Sequence, residues 1–149
     1  NSLGIVLLYQ GITAEAQASF EAALRLRPDF LQARMNLGVA LRILGKLEDA
    51  KRQFVTALDA QPNYPDAEYN LGITLAQLSE GLEARRHLEK TLQLRGDFPA
   101  AHQALGDLAV REGRKAEAHA HFEQALKANP NDLQLRERWQ ATAPAGTPP

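Results

Sequence analysis

A leucine-glycine pair recurs every 34 residues along this chain: Leu3-Gly4, Leu37-Gly38, Leu71-Gly72 and Leu105-Gly106. The columns that follow stay in register. Twelve residues after each glycine stands an alanine (Ala16, Ala50, Ala84, Ala118), and four further on a large apolar residue (Phe20, Phe54, Leu88, Phe122). Next come Ala23, Ala57, Thr91 and Ala125, each followed by leucine (Leu24, Leu58, Leu92, Leu126). Pro28, Pro62 and Pro130 close three units, and Gly96 takes that place in the third. Self-similarity at a fixed period of this length marks a stacked array, in which each unit buries its apolar face on its neighbours.

Each unit reads as two helices. In the second, helix A runs from about 32 to 44, with Leu37, Leu41 and Leu44 at helical spacing. Gly45 stands where the chain must turn left-handed, which glycine does at little cost. Helix B runs from about 47 to 60, with Ala50, Phe54, Ala57 and Leu58 on one face, and Pro62 is expected to stop it. Pro65 and Pro99 suit the first turn of the following helices A. Glycine inside a helix costs about 1 kcal/mol relative to alanine. Gly38 has a reason to be there if it lets helix B come close, with Phe54 filling the space between.

The pattern resembles the tetratricopeptide repeat. That family's L-G-x2-Y…A-x3-F…P skeleton appears as Leu37-Gly38-x2-Leu41…Ala50-x3-Phe54…Pro62, and the resemblance covers residues 1 to about 132. Three departures are visible. The early tryptophan column holds Arg34, Glu68 and His102, and the tyrosine column holds Leu7, Leu41, Leu75 and Ala109. The third unit has Ser79 where the others have Gly11, Gly45 and Gly113, which predicts a weaker turn. The expected fold is therefore all-α: a right-handed superhelical solenoid of helix-turn-helix units with a C-terminal capping helix. Residues 1–30 form a truncated first repeat; 31–64, 65–98 and 99–132 are complete repeats. Residues 133–142 form the capping helix, with Leu135 and Trp139 covering the last apolar face and Arg136, Glu137 and Arg138 toward water. Residues 143–149 form a flexible tail with no means of making a core. The chain opens inside a helix with no initiator methionine, so further sequence is expected upstream.

The resemblance implies that helices A line the concave side, and it assigns groove positions there. In the second repeat these are Met35, Asn36, Val39, Arg42 and Ile43. In the third they are Asp66, Tyr69, Asn70, Ile73 and Gln77; in the fourth, Gln103, Asp107, Val110 and Arg111. The broken first repeat offers Ser2, Ile5, Leu8 and Tyr9. Ile5, Val39, Ile73 and Val110 make an apolar stripe. Asn36 and Asn70 share one repeat position, and an amide both donates and accepts. Spaced by one repeat, roughly 10 Å, they would hold an extended backbone at about every third residue. Superhelical members of the family use asparagines at this place for that purpose, although here the series ends in Ser2 and Ala104. Another family mode grips a C-terminal carboxylate with lysine, arginine and asparagine. In register, its positions hold Asn1, Ile5, Asn36, Asp66 and Asn70, or one repeat on Met35, Val39, Asn70, Ala100 and Ala104. An anionic carboxylate needs cationic donors, and these sets have none.

Other chemistries find little support. Formal net charge is -1 and acids interleave with bases, as in Glu48-Asp49-Ala50-Lys51-Arg52, so nothing points to nucleic acid. No apolar run is long enough to insert in a membrane. With no cysteine there are neither disulfides nor thiolate metal sites. His119 and His121 lie two apart and diverge on a helix, and His87 and His121 repeat one surface position. No metal site, cofactor or catalytic residue is expected. The reading is a non-enzymatic scaffold that binds a peptide segment of a partner protein. The alternative is a substrate-docking or regulatory segment of a larger enzyme, such as a glycosyltransferase or sulfotransferase. Self-association is a third route, through the apolar face of the truncated first repeat (Leu3, Leu7, Leu8). The compartment is left open between cytoplasm and periplasm, with an Ala-, Leu- and Arg-rich composition of bacterial character.

Overall fold

The computed structural model describes residues 1–144, so most of the expected tail (145–149) lies outside the described residues. Among these the chain is helical throughout, in nine helices. The inner helices are α1 (Ser2–Tyr9), α3 (Leu31–Ile43), α5 (Pro65–Gln77) and α7 (Pro99–Arg111). The outer ones are α2 (Thr13–Leu26), α4 (Leu47–Ala60), α6 (Gly81–Leu94) and α8 (Lys115–Ala128). A final helix, α9, spans Leu133–Ala141. Each helix packs on the one before and the one after, which makes a solenoid. Across repeats α3 also meets α5, and α5 meets α7, so the inner helices draw together on the concave side.

The small-residue column does the packing its spacing predicts. A Cβ on Gly38 would stand 2.6 Å from Cε1 of the Phe54 ring, and one on Gly106 would stand 2.4 Å from Cε1 of Phe122. The rings of Phe20, Phe54 and Phe122 are fully buried, as are Ala16, Ala50, Ala84 and Ala118 beside them. One core runs from Ala16 to Leu108; a smaller one joins Ala109, Phe122 and Ala125 to Leu135 of α9.

The ends of the outer helices differ in cause from the sequence expectation. Pro62 was expected to stop α4, and the chain does turn extended at Gln61 (φ -141°). Yet α6 ends at the equivalent residue, with Arg95 extended at φ -146°, although Gly96 replaces the proline. The stop is set by where the next inner helix must dock; proline agrees with it. The inner helix of the second repeat also begins and ends one residue earlier than expected.

The turns after the inner helices are left-handed at Gly11, Gly45 and Gly113, and Ser79 adopts the same conformation at φ 64°. The hydrogen bonds are unchanged: the Lys46 N–H reaches the Leu41 carbonyl at 2.9 Å, and the Glu80 N–H reaches that of Leu75 at 2.9 Å. The third turn is therefore complete but strained, since a Cβ disfavours this region by about 1–2 kcal/mol. Ser79→Gly is expected to stabilise the protein by about 1 kcal/mol, less than the full strain because glycine also loosens the unfolded chain. A lower melting temperature for that variant would contradict it.

Candidate functional site

The inner helices α3, α5 and α7 present an open strip whose centre is apolar. Ile43 and Val110 are 57% and 46% exposed, while Val39 and Ile73 are half-buried and lean on the core. Between α5 and α7 a recess of about 200 Å³ is lined by Ile73, Ala76, Gln77, Ala104, Asp107, Leu108 and Arg111. Its floor of alanines comes from the small-residue packing of adjacent repeats. The repeat pattern gives no reason to pair Ala76 and Leu108 with Ala104, which stands at the end of the asparagine series; only the approach of the two helices gives them a shared surface.

The polar members of the strip are partly engaged within the chain. The Asn36 amide donates to Asn1 Oδ1 at 3.1 Å and accepts from Gln32 Nε2 at 3.2 Å. The Asn70 amide donates to the Asp66 carbonyl, one turn back, at 2.7 Å. The two asparagines thus share a register but differ in partners, and each amide keeps further donor and acceptor capacity beyond these bonds. Asp107 pairs with Arg138 of α9 at 3.2 Å, so Arg138 folds back over α7 instead of simply facing water. Asp66 pairs with Arg95 at 3.3 Å. Arg111 reaches the Ala76 carbonyl at 3.5 Å, spanning the recess.

Three expected positions sit differently. Met35 is buried in the core and offers the groove nothing. Tyr69 packs its ring on Phe98, with centroids 4.9 Å apart, so one face is already covered. Burial of the Tyr69 phenol holds its pKa above the ordinary tyrosine value. Tyr9 is 89% exposed, at the edge of the stack. Gln77 is exposed and Gln103 half-buried, both on inner helices. On α1, Leu7 and Leu8 pack against the core and are not open, whereas Leu3, Val6 and Tyr9 are exposed.

A second set of polar contacts joins the helices of a repeat at a spacing of 19 residues. Arg34 donates to Gln53 at 3.2 Å, Glu68 meets His87 Nδ1 at 2.6 Å, and the Nδ1 atoms of His102 and His121 lie 3.1 Å apart. The histidines are therefore half-buried rivets and not the surface duplicates the spacing suggested. The signal was in the sequence: the column that holds tryptophan in the resembled family is here filled by polar residues whose partners stand 19 later.

Desolvation lowers the pKa of both His102 and His121. Around His102, Lys127 lowers it further and a hydrogen bond with the Gly96 backbone opposes; around His121, His102 and Arg85 lower it and Glu117 opposes. The unfolded chain, with its imidazoles near the usual 6.5, then binds more protons than the native one below that pH. This stability is complete above about pH 6.5 and is lost as the pH falls toward the lowered native values. Urea melts at pH 7.5 and 5.5 are expected to show a drop that His121→Gln reduces. An equal drop in both proteins would assign it elsewhere.

No group of three or more histidine, cysteine or acidic side chains is placed to hold a metal among the described residues. No described helix is long and apolar enough to cross a membrane.

Comparison with known proteins agrees with this geometry. Models of the tetratricopeptide repeat match residues 1–50, 41–97 and 99–132. A thermophilic repeat protein of Thermus thermophilus, TTC0263, is 30% identical with a TM-score of 0.80, over 94% of this chain and 77% of that one. PilF of Pseudomonas aeruginosa has a TM-score of 0.86 at 22% identity, over 95% of this chain and 64% of that one. YrrB, described as a repeat protein with an unusual peptide-binding site, has a TM-score of 0.73 at 23% identity, over 95% and 73%. No curated protein matches the sequence.

Proposed function

We propose that this chain, which belongs to the tetratricopeptide repeat family and so carries the family's protein-interaction scaffold, binds a segment of a partner protein along α3, α5 and α7. The observation that carries the reading is the open apolar strip from Val39 to Val110, with its recess between α5 and α7. A packed solenoid keeps this surface formed before a ligand arrives, so most of the ordering cost falls on the ligand. Asn36, Asn70, Gln77 and Gln103 would supply backbone hydrogen bonds, Asn36 and Asn70 through the donors and lone pairs their internal bonds leave. YrrB's description as a peptide binder supports a concave ligand without naming one.

The test is selection from a displayed library of random peptides of about nine residues, the extended length that spans three inner helices roughly 10 Å apart. Selected peptides are expected to lose binding at least tenfold, about 1.4 kcal/mol, on Val110→Asp, which places a charge on the strip at an exposed site. Binding that survives Val110→Asp and the paired Asn36→Ala/Asn70→Ala change would move the site off the concave face.

The exposed face of α1 (Leu3, Val6, Tyr9) is where self-association would occur. Light scattering at two concentrations tests it, and a strictly monomeric species dismisses it.

A further inference from the structure

One position of the inner helices breaks its own column. Residues 8, 42, 76 and 110 are Leu8, Arg42, Ala76 and Val110: three apolar side chains and one guanidinium. Arg42 is half-buried, and its Nε is out of water with no hydrogen bond. Burial holds its pKa below the ordinary arginine value, and the one charged influence on it is the Tyr69 phenol.

The contrast with the other arginines is direct. Arg85 also has a buried, unbonded Nε, but its terminal nitrogens pair with Glu112 at 2.7 Å and with Glu117; half-buried Arg34 has no acid but donates to Gln53 and to the Pro28 carbonyl. Arg95 has Asp66, Arg138 has Asp107, and Arg52, Arg86 and Arg114 have acids nearby on their own surfaces. Arg25 and Arg136 stand in solvent. Among the described residues no carboxylate lies within ion-pair distance of Arg42.

A role at the end of α3 does not account for it. A cation there suits the helix dipole, but that needs no burial. Three carbonyls of that end already accept from the chain, Ala40 from the Leu44 N–H, Leu41 from Lys46 and Arg42 itself from Gly45, and the buried Nε of Arg42 bonds to none. A half-buried guanidinium with its Nε out of water and no counter-charge is a cost to the fold.

We propose that Arg42 receives a carboxylate from the bound partner, so that the groove selects a largely apolar segment with an acidic side chain over the second repeat. This rests on the groove reading above and narrows it. The charge pattern of the strip agrees. Asp66 and Asp107 already face Arg95 and Arg138, so a basic segment competes with existing ion pairs, whereas an acidic one finds Arg42 and, at the recess, Arg111. Two parallel N–H···O bonds to a carboxylate would be made beside the half-buried Tyr69 ring stacked on Phe98, where reduced screening strengthens them.

The probe is the same displayed peptide library. Selected peptides are expected to carry Asp or Glu at one fixed distance from their apolar anchors. Changing that acid to its amide should weaken binding about tenfold on the natural protein and less than about twofold on Arg42→Gln. Arg42→Lys, which keeps the charge without the fork, should recover part of the loss. With no ligand present, Arg42→Gln should leave the melting temperature unchanged or raise it by about 2–4 °C, because it removes a cost and breaks no pair. Binders without an acidic preference, or an amide change felt equally by both proteins, would overturn the assignment of Arg42. If those binders still depend on Val110, the groove reading stands without it. A library that yields no binder would count against both.

Discussion

Gly38→Leu is expected to lower the unfolding free energy by about 3 kcal/mol, while Gly38→Ala lowers it by about 1 kcal/mol. Even the first added carbon meets the Phe54 ring at 2.6 Å, and that ring is fully buried with nowhere to swing. Overpacking typically costs about 1–3 kcal/mol, and the alanine variant recovers about 1 kcal/mol in helix propensity, so a small loss remains. Leucine adds three further carbons to a space already filled and sits at the top of that range. Against a total stability of roughly 5–15 kcal/mol, the larger loss is easily read from urea unfolding at an unchanged m-value. A stabilised Gly38→Ala protein would show that close helix approach is not why the glycine is there. The same order is expected at Gly106, where the ring of Phe122 is nearer still.

Leu135→Ala should cost about 2–3 kcal/mol, and the cost should be local. Leu135 is 2% exposed and joins the smaller core with Ala109, Phe122 and Ala125. Truncating a buried leucine usually costs about 2–5 kcal/mol. Here the penalty has a ceiling, because α9 can undock and leave the larger core from Ala16 to Leu108 standing. Three contacts dock α9 besides Leu135: Arg138 pairs with Asp107, the Trp139 ring stacks on His119 at 4.9 Å, and His119 Nδ1 lies 2.9 Å from the Trp139 carbonyl. Hydrogen exchange is the discriminating readout. Faster exchange confined to α8 and α9 fits a local unit; faster exchange across all repeats would mean that the two cores unfold as one.

The repeat was legible because packing leaves a fixed imprint on composition. Gly38 and Phe54 must complement each other in every unit, so both columns recur and the period can be counted. Which residues stand on the inner helices followed from the same register. Their states did not. Met35 and Val39 are four apart on one face of α3 and both apolar, yet Met35 is buried and Val39 half-buried. Asn36 and Asn70 look identical in the sequence and differ in their bonds, because Asn36 is supplied with Gln32 and Asn1 while Asn70 turns to the Asp66 carbonyl. The isolation of Arg42 was equally invisible. A lone arginine on a helix shows its charge in the sequence but not whether any acid comes near it.

The sequence by itself therefore determined the repeat length, the two-helix unit, the left-handed turns and the small-against-large contact that builds each pair, since all of these are local or recur at one spacing. Tertiary structure alone decided where the outer helices end, which is at the same point with Pro62 or with Gly96. It also decided that Ser79 accepts a strained turn, that polar side chains 19 residues apart rivet the helix pairs, and which charges are paired. The physical reason is common to these. Each depends on the distance between residues of different helices, and that distance is fixed only when neighbouring repeats close on one another.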